Sequence, residues 1–255
     1  MIPVKTSQDI EFMRAGGEKL GGICEELLSM SAVGVNLLDL EKYAKRRVQE
    51  EGGQPSFTTV EEYPFVTCLC INDEVVHGIP RDYRLKNGDI LTVDIGMIYK
   101  GLHTDMAWTV CVGDCTADGK KTRFLAAGKD ALKNAIKAGV AGNRVGNISK
   151  AIQDVIEGAG FSVVKDLTGH GVGRILHEEP MIPEYVHGDI TKTSLLTEGM
   201  TLAIEVIYAA EEGSICYKGD DGWTLVSKDG SMTATFEHTI AVGDGKSEVL
   251  TGAFR

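Results

Sequence analysis

The sequence predicts an α+β fold built from two similar halves, with helices on the outer face and an antiparallel sheet at the centre. Three observations carry this. The order of elements is helix, helix, strands, and then helix, helix, strands again. The strand segments are apolar runs broken by closely spaced turn signals, which suits an antiparallel meander. Two segments also resemble each other, VGVNLLDLEKYAKRRVQEEG and AGNRVGNISKAIQDVIEGAG. They align Gly34 with Gly142, Asp39 with Asn147, Lys42 with Lys150 and Gly52 with Gly160, all at one offset of 108 residues. Two unrelated amphipathic helices with similar caps would look alike too, so the pattern favours a duplicated half without requiring it.

Taken in order, the first helix runs from about Ser7 to Met30. Ser7 is placed to cap it, Glu11 lies in its first turns, and Ile10, Met13, Leu20, Ile23 and Leu27 fall near one face. A second helix covers LEKYAKRRVQEEG, with Asp39 as candidate cap and Gly52-Gly53 as its stop. From Phe65 to Val112 the texture changes to strands: FVTCLCI, ILTVDIGMIY and MAWTVCV, with a hairpin-like Lys86-Asn87-Gly88-Asp89 among them. Helices return over about Thr122 to Ala138 and Ile148 to Gly158. Strands resume from Phe161 and end in WTLVSK, MTATFEHTIAV and SEVLTG. No Pro/Ser-rich linker separates the halves, approximately 1–115 and 116–255, so one catalytic domain over 1–255 is expected.

The chain has 255 residues, ample for a substantial core. A net charge of −11 and a pI near 5.0 oppose nucleic acid or an anionic membrane surface as the main partner. No apolar run is long enough to span a bilayer, and MIPVKTSQDIEFMR has no signal-peptide core, so a cytoplasmic location is expected. The six Cys have no zinc-finger spacing and are expected to be reduced thiols.

Five residues stand out for their setting: Asp94 in ILTVDIG, Asp105 in HTDMAWTV, His170 in TGHGVG, Glu205 in MTLAIEV and Glu237 in TATFEHTIAV. A carboxylate inside an apolar strand is costly unless something compensates it. Each alone fits an ordinary reading, such as a capped turn for Asp94 or an ion pair for either Glu. Together they point to a shared compensating charge, and a pair of divalent cations is the natural candidate. A hairpin lets Asp94 and Asp105 approach across neighbouring strands. Carboxylate-rich ligation with one imidazole favours Mn, Fe, Co or Zn. Two such ions about 3.5–4 Å apart share a water and lower its pKa to about 7, which implies a metallohydrolase. His177, in LHEEP, is a further ligand or a substrate contact. His77, Trp223 and Cys68 have plain alternatives as a turn histidine, hairpin packing and a buried thiol.

The motifs KTSQDIEFMR, NDEVVHGIP, LTVDIG, TDMAWTV, TGHGVGR, LHEEP, DGWT and TATFEHT together resemble the type I methionine aminopeptidases over nearly the whole chain. The resemblance implies the pita-bread fold, with pseudo-two-fold halves around a central antiparallel sheet. It implies two divalent ions per chain (Co, Mn, Fe or Zn) on Asp94, Asp105, His170, Glu205 and Glu237. Asp105 and Glu237 would bridge, Asp94 would complete one ion, and His170 and Glu205 the other. Glu205 is also the implied general base. His77 matches a contact to the scissile amide, and His177 a contact to the substrate carbonyl and developing oxyanion. Tyr63, Cys68 and Trp223 match the pocket for the methionine side chain. The implied reaction removes the N-terminal methionine from nascent proteins and peptides when the second residue is small. The implied partners are nascent polypeptide N-termini with a transient ribosome contact, and neither DNA nor a membrane. Nothing demands a dimer, so a monomer is expected.

The chain departs from the pattern in places. Val206 follows Glu205 where Pro is common, Leu176 precedes His177 where Phe is frequent, and Phe57 and Val60 stand where Cys and Tyr are frequent. Reaction type is therefore implied more firmly than substrate preference. Xaa-Pro peptidases share the metal site but usually carry an extra N-terminal domain, and here the first half begins almost at Met1. Type II enzymes carry a helical insertion between their last two ligands, for which Glu205 and Glu237 are too close. A non-catalytic binding protein of this fold is expected to have eroded ligands, whereas all five are present.

Overall fold

In this computed structural model residues 2–116 and 118–252 are described, so both ends of the expected domain, Met1 and Arg255, lie outside them. Helices α1 (Ser7–Met30) and α2 (Leu37–Glu50) come first. Strands β1 (Gln54–Pro55), β2 (Thr67–Ile71), β3 (Glu74–Val76), β4 (Ile90–Tyr99) and β5 (Leu102–Cys111) follow. The second run opens with α3 (Gly119–Ala138) and α4 (Val145–Gly158). It continues with β6 (Ser162–Val163), β7 (Thr168–Gly171), β8 (Glu178–Pro183), β9 (Thr201–Ala209), β10 (Ile215–Tyr217), β11 (Leu225–Ser227), β12 (Thr233–Ala241) and β13 (Glu248–Val249). The bounds of α2 and α4 differ by the same 108 residues read from the sequence. Their flanking glycines match as well, with φ of +89° and +87° at Gly34 and Gly142, and +75° and +81° at Gly52 and Gly160. An L side chain is strained at such angles, which glycine adopts freely.

The caps of α1 and α2 lie ahead of those expected, as do the starts of α2, α3 and α4, while α1 begins at Ser7 as expected. Thr6, not Ser7, caps α1: its hydroxyl accepts the Asp9 N–H at 3.1 Å, and the Asp9 carboxylate accepts the Thr6 N–H at 3.0 Å. Asn36, not Asp39, caps α2 by accepting the Leu38 N–H at 2.9 Å. Asp118 accepts the Lys120 and Lys121 N–H groups, so α3 begins at Gly119 rather than Thr122. Asn147 accepts the Arg144 N–H at 2.8 Å, so α4 begins at Val145 rather than Ile148. A short polar side chain caps only when it faces N–H groups two or three residues ahead, and the incoming turn decides which one does.

All strand pairs are antiparallel. In one sheet β4 pairs with β5 along its whole length and with β2 and β1 on its other edge. A second has the order β13-β12-β9-β7-β8, with β6 also on β9, and a third small sheet has the order β10-β11-β3. Side-chain alternation sorts the faces. Leu91, Val93 and Ile95 of β4, Met106 and Trp108 of β5, Ile204, Val206 and Tyr208 of β9, and Phe236 and Ile240 of β12 join one continuous core with all four helices. The other faces of these strands carry Asp94, Asp105, Glu205 and Glu237. Gly17 lets α1 lie close to the end of the chain: a Cβ there would come within 2.4 Å of the Leu250 carbonyl oxygen.

The expectation of six reduced thiols does not hold for one pair. Cys111 and Cys115 are disulfide-bonded, because the turn leaving β5 brings their Cα atoms to 6.3 Å, within bridging range. Cys24, Cys68 and Cys70 are free and buried, and Cys216 is free and exposed. Among the described residues no helix is long and apolar enough to cross a membrane.

Candidate active site

One cleft is lined by all ten residues singled out above: Tyr63, Cys68, His77, Asp94, Asp105, His170, His177, Glu205, Trp223 and Glu237. Two pairs of neighbouring strands bring the carboxylates in, β4 with β5 and β9 with β12. Asp105, His170 and Glu237 each place a ligand atom within 4.8 Å of the others. His170 Nε2 lies 3.4 Å from Glu205 Oε1. Asp105 and Glu237 are almost completely enclosed, at 4% and 2% exposure. Glu237 Oε1 has no hydrogen-bond partner among the described residues. Desolvation by burial raises the pKa of Asp94, Glu205 and Glu237 well above the usual carboxylate range, and neighbouring carboxylates raise it further. Four anions cannot coexist here unaided. Only protons or cations relieve the conflict.

His170 sits where the β7–β8 register shifts, between Gly169 and Gly171. Neither glycine leaves room for a side chain: a Cβ would meet the Ala203 carbonyl oxygen at 2.7 Å from Gly169 and the Glu179 carbonyl oxygen at 2.3 Å from Gly171. Nδ1 of His170 lies 2.9 Å from the Gly171 carbonyl oxygen. Donating there leaves Nε2 with a lone pair aimed among the carboxylates, as a ligating imidazole requires. Burial lowers the His170 pKa to about 4, so it is neutral at pH 7.

The His177 ring stands edge-on to His170, with centroids 4.5 Å apart. His77 reaches the cleft from a left-handed backbone position, φ +58°, which is uncommon outside glycine. Burial lowers the pKa of His77 to about 4 and lowers that of His177, so both are neutral hydrogen-bonding groups at pH 7. Beside them is an apolar pocket of Phe57, Tyr63, Cys68 and Leu176, with Val60 and Trp223 packed against it. The Tyr63 hydroxyl donates to the Thr67 carbonyl at 2.9 Å and lies 3.1 Å from Cys68 Sγ, and its ring centroid is 5.0 Å from that of Trp223. The departures Phe57, Val60 and Leu176 thus all fall on the pocket wall, while Val206 faces the core.

Three supporting residues escaped the sequence reading. Lys5 forms a buried ion pair with Glu178, the neighbour of His177, and the other Glu178 oxygen accepts the Arg174 N–H at 2.6 Å. Glu184 is completely buried. One of its oxygens accepts the Ile207 N–H at 3.2 Å, and the other has no partner among the described residues. Lys5 opens the motif KTSQDIEFMR, but nothing in that motif pointed to a partner for it. Glu184, in IPEYV, carries the same clue as the candidate ligands, an acid among apolar or proline neighbours, whereas Glu178 stands between His177 and Glu179 and carries none.

The sequence pattern of metallopeptidase family M24 matches residues 11–244. The chain is 40% identical over 252 residues to methionine aminopeptidase 1 of Bacillus subtilis, covering 98% of this chain and 99% of that protein. It is 40% identical over 254 residues to a methionine aminopeptidase of Mycoplasma capricolum, covering 98% of each. The crystal structure of a Thermotoga maritima methionine aminopeptidase superposes with a TM-score of 0.94 at 38% identity, covering 98% of this chain and 99% of that one. A prolidase from Pyrococcus furiosus shares the fold alone, with a TM-score of 0.79 at 20% identity over 66% of its length. The α+β architecture expected from the sequence is therefore the pita-bread fold, and the chain belongs to metallopeptidase family M24, among its methionine aminopeptidases.

Proposed function

We propose that this chain removes the N-terminal methionine from peptides and nascent proteins whose second residue is small. The observation that carries this reading is the juxtaposition in one cleft of four crowded carboxylates and a neutral imidazole with an apolar wall of Phe57, Val60, Tyr63, Leu176 and Trp223. The donor set suits two divalent cations. The unpartnered Glu237 oxygen, the raised carboxyl pKa values and the aimed Nε2 of His170 each lack only a positive charge. Asp94, Asp105, His170, Glu205 and Glu237 would hold the ions, with Asp105 and Glu237 shared between them. Co, Mn, Fe or Zn all fit such ligands. When bound, the ions supply an acidified water and positive charge beside the scissile carbonyl.

The protein's own groups do the rest. Glu205 takes the proton of the attacking water and passes it to the departing amine. His177, neutral and protonated on one nitrogen, donates to the carbonyl oxygen as it gains charge. His77 contacts the scissile amide. Tyr63, Cys68 and Trp223 enclose the methionine side chain, whose flexible thioether suits a soft apolar pocket. Residues 210–232, between the strands of Glu205 and Glu237, contain two short strands and no helix, which supports the type I reading over type II. We also read the chain as one catalytic domain with halves near 1–115 and 116–255. It would act as a cytoplasmic monomer that meets nascent chains in transient contact with the ribosome.

The test is release of the first residue from Met-Ala-Ser against Ala-Pro peptides, with and without a chelator. Metal-dependent methionine release is expected. Preference for Ala-Pro points to an Xaa-Pro peptidase, and release from neither in a metal-loaded sample points to a non-catalytic protein.

A further inference from the structure

The two larger sheets meet where β5 runs antiparallel beside β12, yet among the described residues no backbone hydrogen bond crosses between them. Two threonine hydroxyls close the seam. Thr239, on β12, donates to the Asp105 carbonyl oxygen at 2.8 Å and accepts the Asp105 N–H at 2.9 Å. Thr109, on β5, donates to the Thr235 carbonyl oxygen at 2.7 Å and accepts the Thr235 N–H at 3.1 Å. The arrangement is reciprocal: each threonine stands four residues beyond the residue that the other one grips. Both threonines are fully buried. A further bond from Thr92 at 2.8 Å holds the Thr109 hydroxyl from the β4 side. By strand alternation Asp105, Thr109, Thr235, Glu237 and Thr239 all belong to the cleft-side faces.

We propose that Thr109 and Thr239 are positioning residues that set the gap between Asp105 and Glu237, and with it the affinity of the site for a second divalent ion. The proposal rests on the two-ion reading above. Asp105 and Glu237 stand on the two strands that the seam joins, one on each side of it. A direct backbone ladder would draw these strands to about 4.8 Å. A hydroxyl inserted between N–H and C=O groups holds them further apart, while still satisfying every buried backbone group it touches. A ligand set tolerates placement errors of only about 0.5 Å. The carboxylates that must serve two ions at once are therefore the ones most sensitive to this spacing. Thr239 acts most directly, because the peptide groups it grips are those of Asp105 itself.

The experiment is a Co²⁺ titration by calorimetry on chelator-stripped wild type, Thr239→Val, Thr239→Ser and Thr109→Val, with thermal melts of the metal-free forms alongside. Wild type is expected to take up two ions in two steps. Thr239→Val should weaken the second step about tenfold or more, the usual cost of losing an outer-shell partner, and the first step less. Thr239→Ser, which keeps the hydroxyl, should retain both steps. Thr109→Val cuts the same seam without touching Asp105 and should also weaken the second step. It decides the matter by itself should Thr239→Val fail to fold. An unchanged second step in the valine variants overturns the seam proposal and leaves the two-ion reading standing. So does equal weakening of both steps, which reduces the threonines to general support of the fold. Uptake of one ion or none by wild type overturns the two-ion reading, and the proposal with it.

Discussion

The carboxylates of the cleft come as two pairs, and the pairs are built differently. On the β4–β5 hairpin Asp94 faces Ala107 and Asp105 faces Gly96, so the two aspartates are diagonal neighbours. Across β9 and β12, Glu205 stands directly opposite Glu237. Directly opposed like charges destabilise a strand pair, and the diagonal separation is larger by about 2–3 Å. By register the glutamates are the closer pair, and Asp105 is in addition the largest like-charge neighbour of each of them. The connections differ too. Lys100 and Gly101, with φ of +52° and +79°, close the first hairpin in a tight two-residue turn. The second pair of strands is joined through residues 210–232, which carry Trp223 to the pocket. One pair is held by a tight turn, whereas the chain between the other pair also supplies Trp223 to the wall of the apolar pocket.

The largest test of this contrast is Glu205→Gln. Turnover should fall about 10³-fold or more, since base and ligand are lost together. The metal-free protein should become more stable, and by more than Asp94→Asn achieves, because the substitution relieves the directly opposed pair. Thermal melts in chelator measure this, and equal gains from the two variants would break the comparison. His177→Ala comes next, with kcat on Met-Ala-Ser falling about 10²-fold and KM little changed. A loss confined to KM would move His177 from oxyanion stabilisation to ground-state binding. Trp223→Ala should raise KM for methionine peptides by about tenfold, the scale of one lost apolar contact. Gly101→Val, in the other connection, should lower stability by about 1–2 kcal/mol while leaving KM unchanged.

The smallest effect is that of pH. Burial, and then neighbouring acids, hold the carboxyl groups of Asp94, Glu205 and Glu237 above their ordinary values. The folded metal-free protein thus keeps protons that the unfolded chain has already lost. Its stability falls as pH rises toward those raised values. The buried His77 and His170, lowered to about 4, act in the opposite direction, but only below the ordinary histidine value of about 6.5. Melts between pH 7 and 8.5 therefore silence the histidines, while the thiols of Cys24, Cys68 and Cys70, which burial also raises, add a slope of the same sign. A downward slope is expected in chelator, and the carboxylate share is the part that Co²⁺ removes. A flat profile in chelator would show that the four acids do not strain the metal-free fold.

Much of this architecture is written locally. Helix and strand periods, the repeat at 108 residues and the acids set in apolar strands are short-range features, each enforced by the chemistry of a few adjacent residues. The departures Phe57, Val60 and Leu176 were legible only against the family pattern. What the sequence did not disclose depends on register and on partners far along the chain. A slide of two residues would turn the opposed glutamates into a diagonal pair without changing composition or alternation. Lys5 meets Glu178 across 173 residues, and Thr239 meets Asp105 across 134. Which of many threonines, lysines and buried acids meet is decided when the sheets dock, because side-chain hydrogen bonds hold only within about 3 Å and carry no periodic trace. Local chemistry therefore specified the candidate ligands and the class of reaction, and only tertiary packing determined the spacing at which those side chains face one another.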